Sequence, residues 1–147
     1  MNIKVNIIDE FDGKYKFLSN YFDSKIVLDG ISYPTVEHVF QAYKTLDIEV
    51  RKRIALAKSP GEAKQMGRQV KLRSDWETIK FNLMYDLILF KFTFHDDLRE
   101  LLVATGDAVL IEGNWWGDTV WGVCNGVGEN HLGKILMQVR AQSKHES

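Results

Sequence analysis

Three polar side chains stand at helical spacing in residues 33–44, and together they have the chemistry of a binding or catalytic site. Glu37, Gln41 and Lys44 occupy positions i, i+4 and i+7 behind Thr35, a residue type that commonly caps helices. At roughly 100° per residue the three share one stripe, and helical side chains lean toward the N-terminus, so we expect Lys44 to point back toward the carboxylate. The spacing therefore predicts a carboxylate and an amine facing one small volume. A solvated helix face with a Glu/Lys pair has the same pattern, and the segment alone does not distinguish the two.

A second segment with chemical potential is the loop predicted at residues 114–130, which has no long periodic run. Its four glycines allow a ligand to approach the backbone closely, and its tryptophans, Trp121 among them, offer stacking surfaces. Asp118 and neighbouring asparagines add polar contacts. The alternative is an irregular hydrophobic plug in which Asp118 only caps a turn. No phosphate-binding P-loop, dinucleotide fingerprint or nucleophile elbow fits this segment.

The chain has 147 residues, a formal net charge of −1 and one cysteine, Cys124. This length predicts one compact domain, residues 1–147, with a hydrophobic core that needs no disulfide. A single cysteine cannot pair within the chain, and the first residues are too polar for a signal peptide, so we expect a cytoplasmic protein. Charges interrupt the apolar stretches before they reach the roughly 20 residues of a membrane span.

Basic residues are concentrated between positions 44 and 73, where nine lysines and arginines stand against three acidic residues. A basic middle in a chain of nearly zero net charge suits an anionic group of limited size, such as a phosphate or pyrophosphate, better than a long polymer. Arg68 lies near the centre of this stretch and is the candidate to bind a phosphate with two parallel hydrogen bonds. Ordinary solvated helix faces are the alternative interpretation.

A turn signal and a cap signal outline the elements around the first site segment. Asp29-Gly30 stands between two apolar runs and predicts a β-hairpin over residues 25–33, because this dipeptide adopts the positive φ angles of a type I′ turn. Thr35 then caps a helix that we expect to run to about residue 45. Glu37 falls in its first turn, where exposed amides favour an ionised carboxylate.

Helices are expected to supply most of the remaining chain. Ser-x-x-Glu capping boxes predict helix starts at Ser59 and Ser74, and apolar residues at helical spacing extend the second helix to Phe94. The elements after it are predicted as a helix, a short buried strand and a final helix, at residues 97–105, 108–112 and 130 to about 140. A frayed tail is expected at residues 143–147.

Several short motifs appear in order along residues 11–140, and together they identify a resemblance. They are Phe17-Leu18-Ser19-Asn20, Glu37-x-x-Phe40-Gln41-Ala42-x-Lys44, Ala63-Lys64-x-x-Gly67-Arg68, Asp75-Trp76, Asp118-x-x-Trp121-Gly122 and Gly128-x-Asn130-x-Leu132-Gly133-x-x-Leu136-Met137-x-x-Arg140. Each motif alone is weakly specific, whereas the ordered set covers nearly the whole chain. The chain resembles the NADAR family, also called YbiA-like.

This resemblance implies a mainly helical α+β domain that cleaves an N-glycosidic bond without metal or cofactor. It also implies two substrate groups: ribosylamine-type early intermediates of riboflavin biosynthesis, and ADP-ribose attached to guanine, as a base or in nucleic acid. By motif correspondence, the catalytic positions fall on Glu37, Lys44, Trp76 and Asp118. Two stretches, 113–117 and 123–126, depart from the family pattern, and these departures bear on ligand choice rather than on the reaction class.

Further positions are expected to contact the substrate: Asn20, Gln41, Arg68, Trp121, Gly122 and Asn130. Asn20, in the Phe-Leu-Ser-Asn turn, is suited to hold ribose hydroxyls or a phosphate. Trp76 is suited to stack on a base or to close the sugar pocket through its area and its N–H donor, or else it is part of the core. The partner that the resemblance implies is a small ribosyl or ADP-ribosyl compound.

The candidate residues fit the chemistry of N-glycoside cleavage. Positive charge develops at the anomeric carbon and negative charge on the departing nitrogen, so the reaction needs a carboxylate near the sugar and a proton donor near the nitrogen. We expect either Glu37 or Asp118 to stabilise the oxocarbenium-like state or to activate water, while the other assists protonation. For Lys44 two roles stay open: a Schiff base between its partly neutral amine and the ring-opened sugar, or electrostatic binding of a phosphate.

Two other functions are compatible with the sequence. A module that binds ADP-ribose or an NAD derivative without turnover would keep its affinity when Glu37 and Asp118 are replaced by their amides. A structural or partner-binding domain would instead use the aromatic residues Trp115 and Trp116 as an exposed interface.

Overall fold

The computed structural model describes residues 6–146, with residues 145 and 146 described by their backbone only. Within this range the chain forms mostly α-helices, with three two-stranded sheets. The predicted α+β, mainly helical class is therefore confirmed. The chain packs as two compact units, which we name the central unit, Asn20–Lys91, and the terminal unit, Met1–Ser19 with Phe92–Ser147. The expectation of a single domain stays a prediction. No helix in the described range is long and apolar enough to cross a membrane.

The strands and helices are numbered in chain order. The strands are β1 (Ile7–Ile8), β2 (Ile26–Leu28), β3 (Ile31–Tyr33), β4 (Val109–Leu110), β5 (Gly113–Asn114) and β6 (Val123–Cys124). The α-helices are α1 (Val36–Ala42), α2 (Ile48–Ala55), α3 (Pro60–Gly67), α4 (Trp76–Phe94), α5 (Asp96–Ala104) and α6 (His131–Glu146), and a 3-10 helix (Gly13–Leu18) precedes β2.

Strands β2 and β3 form the predicted hairpin in the central unit. They pair antiparallel, with Ile26 opposite Tyr33. The turn residues Asp29 and Gly30 have φ angles of 52° and 74°, which have the sign that a type I′ turn requires. Ile26 and Tyr33 are fully buried, so one face of the hairpin contributes to the core.

Helix α1 begins where the sequence predicts and ends earlier. The hydroxyl oxygen of Thr35 accepts a hydrogen bond from the N–H of His38 at 3.2 Å, which caps the first turn. The last helical residue is Ala42 rather than about residue 45, and the N–H of Lys44 bonds to the carbonyl of Gln41 at 3.2 Å in a tighter turn. Lys44 therefore lies beyond the end of the helix.

The early end of α1 is explained by helix α2, which sequence periodicity did not reveal. Its cap is Asp47, whose carboxylate accepts from the N–H groups of Glu49 and Val50 at 2.9 and 3.3 Å. Because this cap follows Ala42 so closely, the chain has to turn between the two helices. Charged residues separate the few apolar positions of α2, so its periodic signal is weak.

Helices α3 and α4 follow the two predicted capping signals in part. Ser59 caps α3 by accepting from the N–H of Glu62 at 3.1 Å, and the Glu62 carboxylate accepts from the N–H of Lys58, one residue before the cap, at 3.4 Å. At the start of α4, Glu77 pairs with Lys80 at 2.6 Å. The sequence signal thus located both helix starts, although the side-chain partners differ from those of an ideal capping box.

The buried face of α4 differs from the predicted one. Met84, Ile88 and Phe92 are almost wholly buried, whereas Phe94, the end of the predicted stripe, is 68% exposed. Lys91 is fully buried as well. The buried face of the helix is wider than a single row of residues spaced four apart. The periodicity therefore predicted the helix correctly but assigned some residues to the wrong face.

In the terminal unit, short parallel pairs join segments that are distant in sequence. Strand β1 pairs with β4, with Ile7 opposite Val109, and β5 pairs with β6, with Gly113 opposite Val123. The strand expected at residues 108–112 is present as the shorter β4. The segment that was predicted as a loop contains β6.

Helix α6 is longer than predicted, and the expectation of a frayed tail is wrong up to residue 146. The hydroxyl of Ser143 donates to the carbonyl of Val139 at 2.8 Å, and the Nζ of Lys144 donates to the carbonyl of Gly106 at 2.7 Å. These contacts stabilise a segment whose polar composition alone indicated disorder. Residue 147 lies outside the described residues.

Candidate functional site

Helix α1 carries the first part of the candidate site inside the protein. All seven residues of the helix are buried, Glu37 and Gln41 included. The Nε2 of Gln41 donates to Oε1 of Glu37 at 2.8 Å, one turn apart as the spacing predicts. The N–H of Glu37 donates to the carbonyl oxygen of Asn20 at 3.1 Å, which fixes Asn20 at the start of the helix. The alternative of a solvated helix face is therefore wrong.

Helix α3 packs against this pair at Gly67, where no larger residue fits. A Cβ atom on Gly67 would collide with Oε1 of Gln41 and would lie 2.9 Å from its Cδ. The amide of Gln41 is thus held between Gly67 on one side and Glu37 on the other. Gly67 thereby orients the amide and, through the amide, the carboxylate.

Lys44 extends from the turn after α1 and is within electrostatic reach of the same carboxylate. Burial lowers the pKa of the Lys44 amine, the Glu37 carboxylate raises it, and the cations of Arg68, Lys64 and Lys80 lower it again. The net direction is downward, so a larger fraction of this amine is neutral than of an ordinary lysine. The same cations make the surroundings of Lys44 attractive to an anion.

Trp76 is buried beside Lys44 and offers little open surface on which a base could stack. Its side chain is only 5% exposed, and the ring of Phe40 lies 4.9 Å from it, tilted by 56°. The Nζ of Lys44 lies 5.9 Å from the centre of the Trp76 ring, in range of a cation-π interaction. With so little accessible surface, Trp76 is better placed to support the amine than to stack on a base.

Asn20 offers a hydrogen-bond acceptor that the described residues leave unused. Its Nδ2 donates to the sulfur of Met84 at 3.5 Å, whereas its Oδ1 is buried without a partner among the described residues. Buried acceptors normally have a hydrogen-bond partner. We therefore expect a hydroxyl of a ligand to donate to this oxygen. The Oε1 of Gln41 likewise accepts no hydrogen bond from residues 6–146, but it faces Gly67.

Tyr21 is a further candidate residue, which the sequence interpretation missed. It follows Asn20 directly, and its side chain is 46% exposed. Burial and the Glu37 carboxylate raise the pKa of Tyr21, and Arg68 lowers it, so the phenol is within electrostatic reach of both groups. Arg68 itself is exposed at the end of α3. The available signal was the position of Tyr21 beside the Phe-Leu-Ser-Asn motif.

In the terminal unit, the carboxylate of Asp118 caps a turn. Its Oδ1 accepts from the N–H groups of Val120 and Trp121 at 3.1 and 2.9 Å. The N–H of Asp118 in turn donates to Oδ1 of Asn114 at 3.0 Å. This is the turn-capping role that the sequence left open as an alternative, and the catalytic role of Asp118 stays a prediction.

Asn130 and Gly122 organise the backbone around this turn. Asn130 has a φ of 56°, its Oδ1 accepts from the N–H of Glu112 at 2.9 Å, and its Nδ2 donates to the carbonyl of Leu110 at 3.0 Å. A Cβ atom on Gly122 would collide with Glu112. These contacts account for both residue types structurally. Their contacts with a substrate, like those of the half-buried Trp121, stay predictions.

The predicted site residues fall into two groups, one in each unit. The central unit contains Asn20, Glu37, Gln41, Lys44, Arg68 and Trp76, and the terminal unit contains Asp118, Trp121, Gly122 and Asn130. Contacts or charge interactions connect the members of the central group to one another. Among the residues that the structure describes, no three His, Cys, Asp or Glu side chains are grouped as metal ligands.

Comparison with known proteins gives concordant matches. A family model described as the NADAR domain matches residues 8–143. The N-glycosidase YbiA of Escherichia coli strain K12 is 40% identical over 134 residues, which are 87% of this chain and 81% of that protein. The chloroplastic riboflavin biosynthesis protein PYRR of Zea mays is 36% identical over 130 residues, which are 78% of this chain and 20% of that protein. The NMR structure of E. coli YbiA matches with a TM-score of 0.84 and 38% identity, covering 98% of this chain and 89% of that one.

Proposed function

This chain belongs to the NADAR family, and we propose that it is an N-glycosidase that hydrolyses a ribosyl C–N bond with Glu37 and Lys44 in its active site. The observation that carries the proposal is the pairing of a buried carboxylate, oriented by Gln41, with an amine whose pKa burial lowers. Relatives that are named N-glycosidases support the same reaction class.

We assign Glu37 to the sugar. As the C–N bond breaks, positive charge develops at C1, and a fixed carboxylate in a setting poor in water stabilises it. The hydrogen bond from Gln41 holds Oε1 in one orientation, so little reorganisation is needed during the reaction. The oxygen of water then adds to C1, and the proton that the water loses balances the proton that the departing nitrogen takes up.

Lys44 supports a second route for a sugar attached to an exocyclic amine. The lone pair of that nitrogen expels the ring oxygen, which takes up a proton, and C1 becomes an iminium carbon. The neutral amine of Lys44 adds to C1, the substrate nitrogen leaves with a proton, and a Schiff base between Lys44 and the open sugar remains. Water hydrolyses this bond, restores the amine and releases the sugar as an aldehyde. The lowered pKa of Lys44 supports this route, because it increases the neutral fraction of the amine.

The positive charge around Lys44 favours a phosphorylated substrate. Lys64, Arg68 and Lys80 all act on its amine, and a phosphate or diphosphate would reduce their mutual repulsion. Two substrate classes fit: phosphoribosylamino-pyrimidine intermediates of riboflavin biosynthesis, supported by the name of the maize relative, and ADP-ribosylated guanine, as a base or in nucleic acid. The lone Cys124 supports a cytoplasmic location.

The test is to incubate the protein separately with ADP-ribosylated guanosine and with the phosphoribosylamino-pyrimidine compound, and to follow the products by mass spectrometry. Release of base and sugar from either compound would establish the reaction and its substrate class. If ADP-ribose raises the Tm but neither compound is cleaved, the protein is a binding module and the proposal is wrong.

Borohydride added during turnover separates the two chemical routes. It should reduce the Schiff base and leave the sugar covalently attached to Lys44. Efficient turnover without such an adduct would exclude the amine route and leave direct hydrolysis at Glu37.

A further inference from the structure

We propose that Tyr43, held by Asp29 and Arg51, is a positioning residue that sets the direction and the surroundings of the Lys44 amine. The inference rests on the proposed function, because a fixed amine matters to catalysis only if Lys44 takes part. Helix α1 ends at Ala42, so the helix does not hold Lys44. The turn that carries this amine needs other contacts to hold it.

Tyr43 is tied to the turn of the β-hairpin. Its hydroxyl donates to Oδ2 of Asp29 at 2.7 Å. Asp29 has a φ of 52° and lies in the type I′ turn that joins the paired strands β2 and β3. The hairpin therefore holds the Asp29 carboxylate in place. Burial raises the pKa of Tyr43, and the hydrogen bond to Asp29 raises it further, so the phenol stays protonated and keeps donating at neutral and alkaline pH.

Arg51 holds the same turn on both sides of Lys44. Its guanidinium carbon lies 4.0 Å from the centre of the Tyr43 ring, and its Nε donates to the carbonyl of Thr45 at 2.9 Å. Its Nη1 lies 3.9 Å from Oδ2 of Asp29. Arg51 is buried, so it acts as a structural contact although the sequence places it in the basic stretch.

Arg73 completes the arrangement from the segment before α4. Its N–H donates to the carbonyl of Lys44 at 2.8 Å, and its Nη1 donates to the carbonyl of Tyr43 at 3.4 Å. Asp75 fixes the guanidinium by accepting from Nε at 2.6 Å and from Nη2 at 3.1 Å. The three successive carbonyls of residues 43–45 therefore each accept a hydrogen bond from an arginine, which is the support that a helix would otherwise give.

Two substitutions at position 29 form a matched pair. Glycine fits the positive φ of this position and removes the acceptor, whereas asparagine also fits it and keeps an oxygen for the hydroxyl of Tyr43. Tyr43→Phe removes the donor instead. The measurement needs no substrate: the pH dependence of Lys44 acetylation by acetic anhydride, followed by mass spectrometry of the Lys44 peptide.

Asp29→Gly and Tyr43→Phe should loosen the turn and expose the amine to water. The midpoint of Lys44 acetylation should then move to higher pH, toward the ordinary lysine value of about 10.4. In both variants kcat should fall about tenfold while KM changes little, because the amine is misplaced but the binding groups remain. Asp29→Asn keeps the acceptor for Tyr43 but loses the charge that faces Arg51, so its acetylation midpoint should stay closer to the wild-type value than that of Asp29→Gly. Tyr15→Phe, at a tyrosine in the terminal unit, should behave as the wild type.

An unchanged acetylation midpoint in both Asp29→Gly and Tyr43→Phe would overturn this inference. The outcome is separable from that of the proposed function. If the wild-type protein cleaves neither substrate, the proposed function fails, while the acetylation profile still decides whether Tyr43 positions Lys44.

Discussion

The side-chain N–H of Gln41 donates to Oε1 of Glu37 at 2.8 Å, and the oxygen of the same amide lies against the backbone of Gly67. Two helices thus determine the orientation of one buried carboxylate. A carboxylate that is oriented before substrate arrives can stabilise developing positive charge without reorganising during the reaction. We therefore expect Gly67, which carries no functional group, to affect activity through its packing.

Gly67→Ala tests this relationship, because the added methyl group would occupy the place of the Gln41 amide. We expect the substitution to break the Gln41 to Glu37 hydrogen bond and to lower kcat/KM about tenfold or more. Overpacking should reduce the free energy of unfolding by about 1–3 kcal/mol. Urea unfolding and steady-state kinetics measure the two effects.

Gly61→Ala is the matched control in the same helix. Its Cβ would meet only the hydroxyl of Ser59 at 3.8 Å, so stability and activity should be retained. Wild-type kinetics in Gly67→Ala would show that the packing at this glycine does not orient the carboxylate.

The lowered pKa of Lys44 predicts the pH dependence of the amine route. The amine has to be neutral to attack C1, so kcat/KM, which reports the free enzyme, should rise with pH and reach its plateau below the ordinary lysine value of about 10.4. In Glu37→Gln the carboxylate that raises this pKa is gone, so the midpoint of Lys44 acetylation should move to lower pH. A rise in kcat/KM centred at the ordinary lysine value, or a midpoint of acetylation that moves upward in Glu37→Gln, contradicts this account.

Asp118→Asn separates the catalytic and capping roles of this residue. Asparagine keeps an oxygen that can accept from Val120 and Trp121, so the Tm should be retained. If Asp118 is catalytic, as predicted, loss of its charge should lower kcat about 100-fold. Asp118→Ala should also lower the free energy of unfolding by about 1 kcal/mol, because the cap is lost. Full activity in Asp118→Asn would show that the carboxylate only caps the turn.

From the burial of Lys91 we predict that the free energy of unfolding increases with pH. It is fully buried, and burial lowers the pKa of its amine to about 7, against about 10.4 in an unfolded chain. Between these values the unfolded chain binds more protons, so the free energy of unfolding rises with pH. Lys91→Met removes this titration, so the free energy of unfolding should rise less between pH 7 and pH 10 in the variant than in the wild type, and the difference between the two should depend on pH. Urea unfolding at several pH values tests this, and a difference that is independent of pH would refute it.

Local signals in the sequence were sufficient for the helix starts, the hairpin and one side-chain contact of the site. Asp29-Gly30 determines the turn in which it lies, and Thr35 caps the helix that begins at the next residue. The structure confirms the predicted turn and the predicted cap. The contact between Glu37 and Gln41 follows from helical spacing, and the structure confirms it too. Such features depend on backbone geometry that a short segment carries by itself.

Features that depend on distant residues were missed or misplaced. The turn at Lys44 is held by Arg51 and Arg73, which a local pattern cannot connect to it. The tail at Ser143 is polar in composition, yet the last helix includes it. Arg51 falls in the basic stretch of the sequence, which predicts an anion-binding role, although it is buried against the ring of Tyr43. Charge and periodicity describe the order of residue types along the chain. The contacts of Arg51 and Arg73 depend instead on how distant segments pack together.

The most direct test of the proposed active site is the rate of base release by Glu37→Gln relative to the wild type. The new amide oxygen can still accept from Gln41, so the substitution removes the charge and keeps the hydrogen bond. We predict that kcat falls by about 10²–10⁴ while the Tm is retained. Base release by Glu37→Gln at the wild-type rate would contradict the assignment of Glu37 to the reaction.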